Sequence, residues 1–308
     1  MDTLHLAVNV VGLCAASLGL ARVKLSASAV LIHHFGSHHQ GLDNPVANDI
    51  AAEIVGITSF SSSAKAYADA HSQHHRFDTF ATLADPDAQL MWSLGLRPGR
   101  AYGRLKRLFW WALVSPRLHG PMSWARLKHT FGPDQPRWRR ITAFTLWGGL
   151  GLAAWAGGWL SGLLGGLVLP LLVFGNVSSF VELASEHKFL LRQPLGGKAR
   201  QLALSHGRNL LDWWPDSGAP WWRWAWVPVA LPLAVVARLS VLPGDLSGHE
   251  HHHLQTPRHA HLGRYGWTNA ALEYTPNLDS EPALAAQRYG SVWAAIKAWL
   301  LALSHEPA

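Results

Sequence analysis

A stretch of 41 residues from Ile141 to Val181 contains no Asp, Glu, Lys or Arg, and this constrains the fold more than any other feature of the chain. About 20 helical residues cross the hydrocarbon core of a bilayer, so the stretch is too long for one span and fits two. Glycine pairs at 157–158 and 165–166 offer places to turn and allow close helix packing. The alternative is a buried helical hairpin in a large soluble protein. We therefore predict a transmembrane hairpin near residues 141–181.

Two further apolar segments flank this hairpin. The first runs from Thr3 to Leu20 and extends towards Ile32; Asp2 replaces the basic residues that begin a signal peptide, so we interpret it as a retained membrane helix near residues 3–32. The second, Trp221–Leu242, begins with four tryptophans and contains two arginines and two prolines. Tryptophan concentrates at headgroup depth, so we expect this segment to be interfacial or re-entrant, with a full crossing left open.

The distribution of charge indicates which side of the membrane the loops face. Eleven Lys or Arg lie between Arg97 and Arg140 against one acid, Asp134, and such an excess of basic residues is typical of a cytoplasmic loop. A nucleic-acid surface is the other use of such charge, and the adjoining apolar stretch disfavours it. The single cysteine, Cys14, excludes a disulfide scaffold and a thiolate zinc finger.

Many of the 19 histidines fall in clusters. One cluster lies at residues 33–39, a second at 71–75 and a third at 249–253, while His187 follows the apolar hairpin. On a helix, His71, His74 and His75 share one face, and the third cluster repeats the same spacing. Convergent imidazoles are ligands for Fe, Zn, Cu or Ni. Because a two-span hairpin returns the chain to the side it left, the first two clusters and His187 can share one face of the membrane. The third cluster joins them in a common cytoplasmic metal site only if Trp221–Leu242 does not cross the bilayer.

These patterns together predict an all-α integral membrane protein with few transmembrane helices and a cytoplasmic helical cap that carries a histidine-rich metal site. The membrane domain is expected at residues 1–260. Residues 261–308 are expected to form a C-terminal cytoplasmic cap that ends in a helix.

The amino-acid sequence around the histidine clusters resembles that of the membrane fatty-acid desaturase and hydroxylase superfamily, which includes the stearoyl-CoA desaturases. Ser37-His38 fits the family's first histidine box, and His74-His75 is followed by Arg-Phe-Asp and then by Asp85-Pro86-Asp87. His252-His253-Leu254 with Pro257 is similar to the family's last box. The resemblance covers roughly residues 5–260 and carries little information about the substrate.

The resemblance implies a di-iron centre, two Fe ions that cycle between Fe2+ and Fe3+, held by nine imidazoles. Carried over position by position, the ligands are His33, His38, His71, His74, His75, His187, His249, His252 and His253. His34 is the alternative to His33, since His34 and His38 have helical spacing. Glu182, Glu186 and Glu250 are candidate partners that orient imidazoles, with Glu186 also a possible ligand.

The resemblance further implies an oxidoreductase that uses O2 and two electrons to desaturate a fatty acyl chain. Hydroxylase, ketolase or oxidative decarboxylase activity on an acyl or isoprenoid chain is the alternative on the same site. No haem, flavin or ferredoxin motif is evident, so we expect an external electron carrier, a ferredoxin or a cytochrome b5-like protein, with its reductase.

Two other function classes fit a membrane protein rich in histidine. A metal transporter or storage protein is disfavoured because a conduction path needs ionisable groups inside the spans, and the apolar stretch has none, histidine included. A zinc hydrolase is disfavoured because its open metal site needs about three protein ligands, far fewer than the nine histidines assigned above.

Overall fold

The computed structural model describes residues 44–76, 78–190, 204–205, 207–208, 218–240, 288–289 and 291–307. This part of the chain is mostly helical, with a two-residue parallel pairing between β1 (Gly207–Arg208) and β2 (Arg288–Tyr289). The helices are α1 (Pro45–Thr58), α2 (Ala64–His74), α3 (Pro86–Ser93), α4 (Tyr102–Ala112), α5 (Pro116–Phe131), α6 (Arg137–Ala156), α7 (Leu160–Glu186), α8 (Trp221–Ala225), α9 (Val227–Ser240) and α10 (Val292–His305). The predicted membrane helix near residues 3–32 and the predicted boundary at residue 260 lie outside the described residues.

Helix starts in this chain follow a repeated local rule. Asn44, Asp85 and Ser115 each precede a proline at the first helical position, and each side chain accepts a hydrogen bond from the backbone of the first turn. The proline lacks an N–H that the first turn does not need, and the polar side chain satisfies one of the donors left without a helical partner.

The 41-residue apolar stretch is helical on both sides of a turn at Gly157 and Gly158. Gly158 has φ +72°, a conformation that a residue with a Cβ adopts only with strain. After the turn, α7 runs for 27 residues and is long and apolar enough to cross a membrane. It is the one helix among the described residues that meets both conditions. Two of its turns, Leu164–Val168 and Pro170–Phe174, are π-helical. The glycines at 165–166, which the sequence also offered as a turn, lie inside this continuous helix.

The chain divides into two compact units. The first unit takes its described residues from Met1–Ala68 and Val114–Ser179. Its core contains Phe60, whose ring stacks on Trp147 with ring centroids 4.2 Å apart, and Leu171 of α7. Arg139 of α6, which is fully buried, forms an ion pair with the partly buried Glu53 of α1.

The second unit takes its described residues from Asp69–Leu113 and Phe180–Ala308. α10 packs on α4, and the buried side chains Trp299, Leu105 and Phe109 contribute to its core. Phe109 also stacks on Phe180, with centroids 5.3 Å apart. α10 therefore belongs to the same compact unit as the histidines of α2.

The tryptophan-rich segment forms two short helices, α8 and α9. The four tryptophans at its start are exposed, and Trp221 reaches 80% exposure. Pro232 lies inside α9.

Candidate metal centre

Three histidines lie at the C-terminal end of α2. His71 and His75 face each other with their Nε2 atoms 3.0 Å apart, which fits an i, i+4 pair on one helix face. The His75 amide donates to the His71 carbonyl, so the helical turn continues past His74. The ring of His74 lies 6.3 Å from that of His71 and 5.8 Å from that of His75, measured between centroids.

His74 has a different partner from the other two. Its Nε2 lies 3.0 Å from the Nε2 of His187, the residue that follows α7, and both side chains are buried. On a helix, position i+3 lies about 60° to one side of position i and position i+4 lies about 40° to the other. The side chain of His74 is therefore directed away from the His71–His75 pair and reaches His187.

The opposite nitrogen of His74 contacts a fully buried carboxylate. The Nδ1 atom lies 3.0 Å from Oδ2 of Asp85 and 3.4 Å from Oδ2 of Asp87. Asp85 also accepts hydrogen bonds from the backbone N–H groups of Ala81 and Asp87, each at 2.9 Å. Asp85 is the N-cap of α3, so one carboxylate both starts a helix and holds the imidazole.

The local charges alter the protonation of this cluster in the metal-free protein. Burial lowers the pKa of His74, but the hydrogen bond to Asp85 and the nearby carboxylates outweigh it and raise that pKa to about 9. Withdrawal from water and the neighbouring carboxylates raise the pKa of Asp87 to about 6, against the attraction of His74. A cation that binds the Nε2 of His74 must therefore displace a proton.

This donor set fits a metal ion. A carboxylate that accepts from Nδ1 directs the lone pair of the other nitrogen outward once the proton is lost, which is the arrangement found around histidine ligands. Four imidazoles then present two close Nε2 pairs, and imidazole nitrogen is a good ligand for iron. His74, Asp85 and Asp87 also form a compact acidic group whose ligand atoms lie within 4.8 Å of one another. Because the carboxylates contact the Nδ1 edge, we assign them to orientation of His74.

The structure brings together four of the nine predicted ligands, His71, His74, His75 and His187. Of the candidate carboxylates, Glu186 is buried next to His187 and contributes to the negative potential at His74. The remaining predicted residues, His33, His34, His38, His249, His252, His253 and Glu250, lie outside the described residues.

Asp85 and Asp87 belong to a motif that resembles the family's, but the sequence alone assigns them no role. The signal that could have found Asp85 is local: an Asp before a Pro marks a helix start, and it lies only 11 residues after His74. Such a short connection keeps the carboxylate within reach of the imidazole.

The fold and the centre define a class of protein: mostly helical in its described part, with one helix long and apolar enough to cross a membrane and a histidine-rich site that fits a metal ion. A family model described as fatty acid desaturase matches residues 8–229, more than two thirds of the chain. The chain belongs to the fatty acid desaturase family, whose members are iron-using, membrane-associated oxidoreductases of lipid metabolism. Neither a curated protein nor a solved structure matches the chain significantly.

Proposed function

We propose that this protein is an O2-dependent desaturase that introduces a double bond into a fatty acyl chain. The observation that carries the proposal is the His74 arrangement, in which Asp85 holds Nδ1 and Nε2 faces the Nε2 of His187. Two hydrogen atoms leave adjacent methylene groups, and O2 is reduced to two water molecules with two further electrons and two protons from outside. Hydroxylation of the same chain is the alternative outcome of the same oxidising site.

Two iron ions, when bound, would supply the oxidising chemistry. Within the described residues, His71, His74, His75 and His187 would hold them, and the proposal adds His33, His38, His249, His252 and His253 from the sequence. Asp85 keeps His74 oriented, and the aromatic ring of Phe80 packs against both His74 and His187, with centroids 5.3 and 4.9 Å away. This fully buried ring excludes water from the two imidazoles.

The proposed enzyme is a multi-pass membrane protein with its active site on the cytoplasmic side. Support comes from α6, which exposes Ile141, Phe144, Leu152 and Trp155 along one side, the last two by 67% and 71%. Contiguous exposed apolar side chains of this kind indicate a membrane or partner surface. The basic segment 97–140 supports the cytoplasmic placement through the positive-inside rule.

Electrons are proposed to come from a ferredoxin or a cytochrome b5-like carrier and its reductase. An acidic surface on the carrier would complement the exposed cations Arg104, Lys106 and Arg107 on α4.

The test is metal content followed by lipid analysis. Protein purified in detergent after expression with iron should contain about two Fe per chain, as a cage of nine imidazoles implies. His187→Ala should lose iron, whereas His305→Ala, an exposed histidine of α10, should retain it. Cells or vesicles with carrier, reductase and O2 should accumulate new double bonds. Zinc in place of iron, or full activity of His187→Ala, would contradict the proposal; hydroxyl products alone would select the alternative.

A further inference from the structure

Two arginines of the first unit have contrasting environments. Arg139 is fully buried and has its charge balanced by Glu53, with further hydrogen bonds to the carbonyls of Ser61 and His129. A buried cation is costly unless it is paired, and Arg139 is paired within the chain.

Arg126 of α5 is partly buried and has no such balance. Its Nε donates to Oδ1 of Asn176 at 2.9 Å, and its Nη2 donates to Oγ of Ser179 at 3.2 Å. Both acceptors are neutral, and within the described part of the chain Arg126 forms no ion pair. Burial lowers the pKa of Arg126 to about 10, so the guanidinium remains charged at neutral pH.

The neutral acceptors hold the guanidinium in a fixed orientation. Asn176 is fully buried, and its Nδ2 donates to Oγ of Ser123 at 2.9 Å and to the carbonyl of His119 at 3.4 Å. The Oδ1 of Asn176 is thereby directed at Arg126. Of the five N–H donors of the guanidinium, two are used by these described neighbours. The other three are the donors suited to a carboxylate or a phosphate, each of which presents two oxygens to an arginine.

The position of Arg126 along the apolar helix suits a lipid headgroup. Its two partners lie on α7, just after the apolar run from Leu160 to Gly175, where the sequence becomes polar. In a membrane-spanning helix such a change in polarity marks the depth of the headgroups. We infer that Arg126, oriented by Asn176 and Ser179, binds the anionic headgroup of a lipid, a carboxylate or a phosphate. The inference rests on the proposed function in taking α7 as membrane-spanning, and it adds a headgroup class to the acyl substrate.

Equilibrium binding to the purified full chain in detergent tests the inference without turnover. The probes are stearate, octadecyl phosphate and the neutral methyl stearate, followed by quenching of tryptophan fluorescence. Wild-type protein should bind at least one of the two anions about tenfold more tightly than the ester, a difference of about 1.4 kcal/mol. Tight stearate binding alone identifies a fatty-acid carboxylate, and tight octadecyl phosphate binding alone identifies a phospholipid phosphate. Equal affinity for all three probes would overturn the inference.

The variants separate a binding role from a structural one. Arg126→Met should lower anion affinity to that of the ester, while Arg117→Met, an exposed arginine of the same helix, should leave it unchanged. Ser179→Asp places a carboxylate next to the guanidinium and should weaken anion binding about tenfold without loss of thermal stability, since the new ion pair is internal. Its neutral counterpart Ser179→Asn should bind as wild type. Anion binding that survives both Arg126→Met and Ser179→Asp would refute the assignment.

These results are distinguishable from failure of the proposed function. If the variants behave as expected but no oxidised lipid is formed, the desaturase proposal fails and the anion site stands. If double bonds are formed and the variants bind anions as wild type does, the anion site alone is wrong.

Discussion

Replacement of Asp85 by asparagine tests the centre most directly, because the two side chains have nearly the same shape. Oδ2 of Asp85 faces two donors, the Nδ1 of His74 and the backbone N–H of Ala81, and Oδ1 faces the N–H of Asp87. An amide has one oxygen and one NH2 group. Whichever way the amide is oriented, its NH2 group meets an N–H donor, either the buried donors at the Oδ2 position or the partly buried N–H of Asp87 at the Oδ1 position.

The cost follows from that mismatch. A buried donor left without an acceptor costs about 1–3 kcal/mol. His74 can avoid the conflict by moving its proton to Nε2, but this is the nitrogen that must be bare to bind a metal ion. Loss of a carboxylate that orients a histidine ligand typically weakens metal binding about 10- to 100-fold, and we expect that range for Asp85→Asn.

Iron retention during titration with a chelator measures the effect. Asp78→Asn is the matched control, since Asp78 lies in the same segment but forms an exposed ion pair with Arg76. Helix α3 should be preserved, because asparagine is as good an N-cap as aspartate. If Asp85→Asn retained iron as tightly as wild type, the assignment of Asp85 to orientation of His74 would be wrong.

Three further predictions concern stability, each measured by thermal unfolding in detergent. Glu53→Gln should destabilise the protein by about 3 kcal/mol because it leaves a fully buried arginine without its counter-ion, whereas Asp134→Asn, which removes an exposed ion pair, should cost less than about 1 kcal/mol. Gly158→Ala should destabilise by about 1–2 kcal/mol because φ is +72°, while Gly149→Ala, on an open helix face, should be neutral or stabilising; equal effects would contradict the role given to the turn. In metal-free protein the raised pKa of His74 should stabilise the fold, with the whole contribution present below pH 6.5 and lost as the pH rises through about 9. His74→Ala should lack this pH dependence.

The helical hairpin could be predicted from the sequence because its signals are local. A charge-free stretch that is twice the length of one span must turn, and a glycine can adopt positive φ. The sequence offered two glycine pairs, and the choice between them depended on tertiary structure. Gly157 and Gly158 form the turn, whereas Gly165 and Gly166 lie in a π-helical turn inside α7.

The histidine spacing on α2 predicted that His71, His74 and His75 share one helix face. In the structure, His71 contacts His75, whereas His74 contacts His187. His71 pairs with His75 because both lie in α2 or its next turn, which the spacing alone determines. The contact of His74 with His187 joins positions 113 residues apart, and no local pattern specifies such a pairing. The contact between Arg126 and Asn176 joins positions 50 residues apart and could not be predicted from the sequence for the same reason.

Asp85 links the folding of its segment to the chemistry of the centre. The same carboxylate caps α3, accepts the N–H of Ala81 and holds His74. Ala81 has φ +55°, a strained conformation for a residue with a Cβ, and the hydrogen bond to Asp85 offsets part of that strain. Because these contacts share one carboxylate, a metal ion that fixes His74 also favours the turn before α3 and the start of that helix. If a metal ion binds His74, its binding free energy is therefore partly free energy of folding for residues 78–93, which is the coupling expected where a metal site is completed by the fold around it.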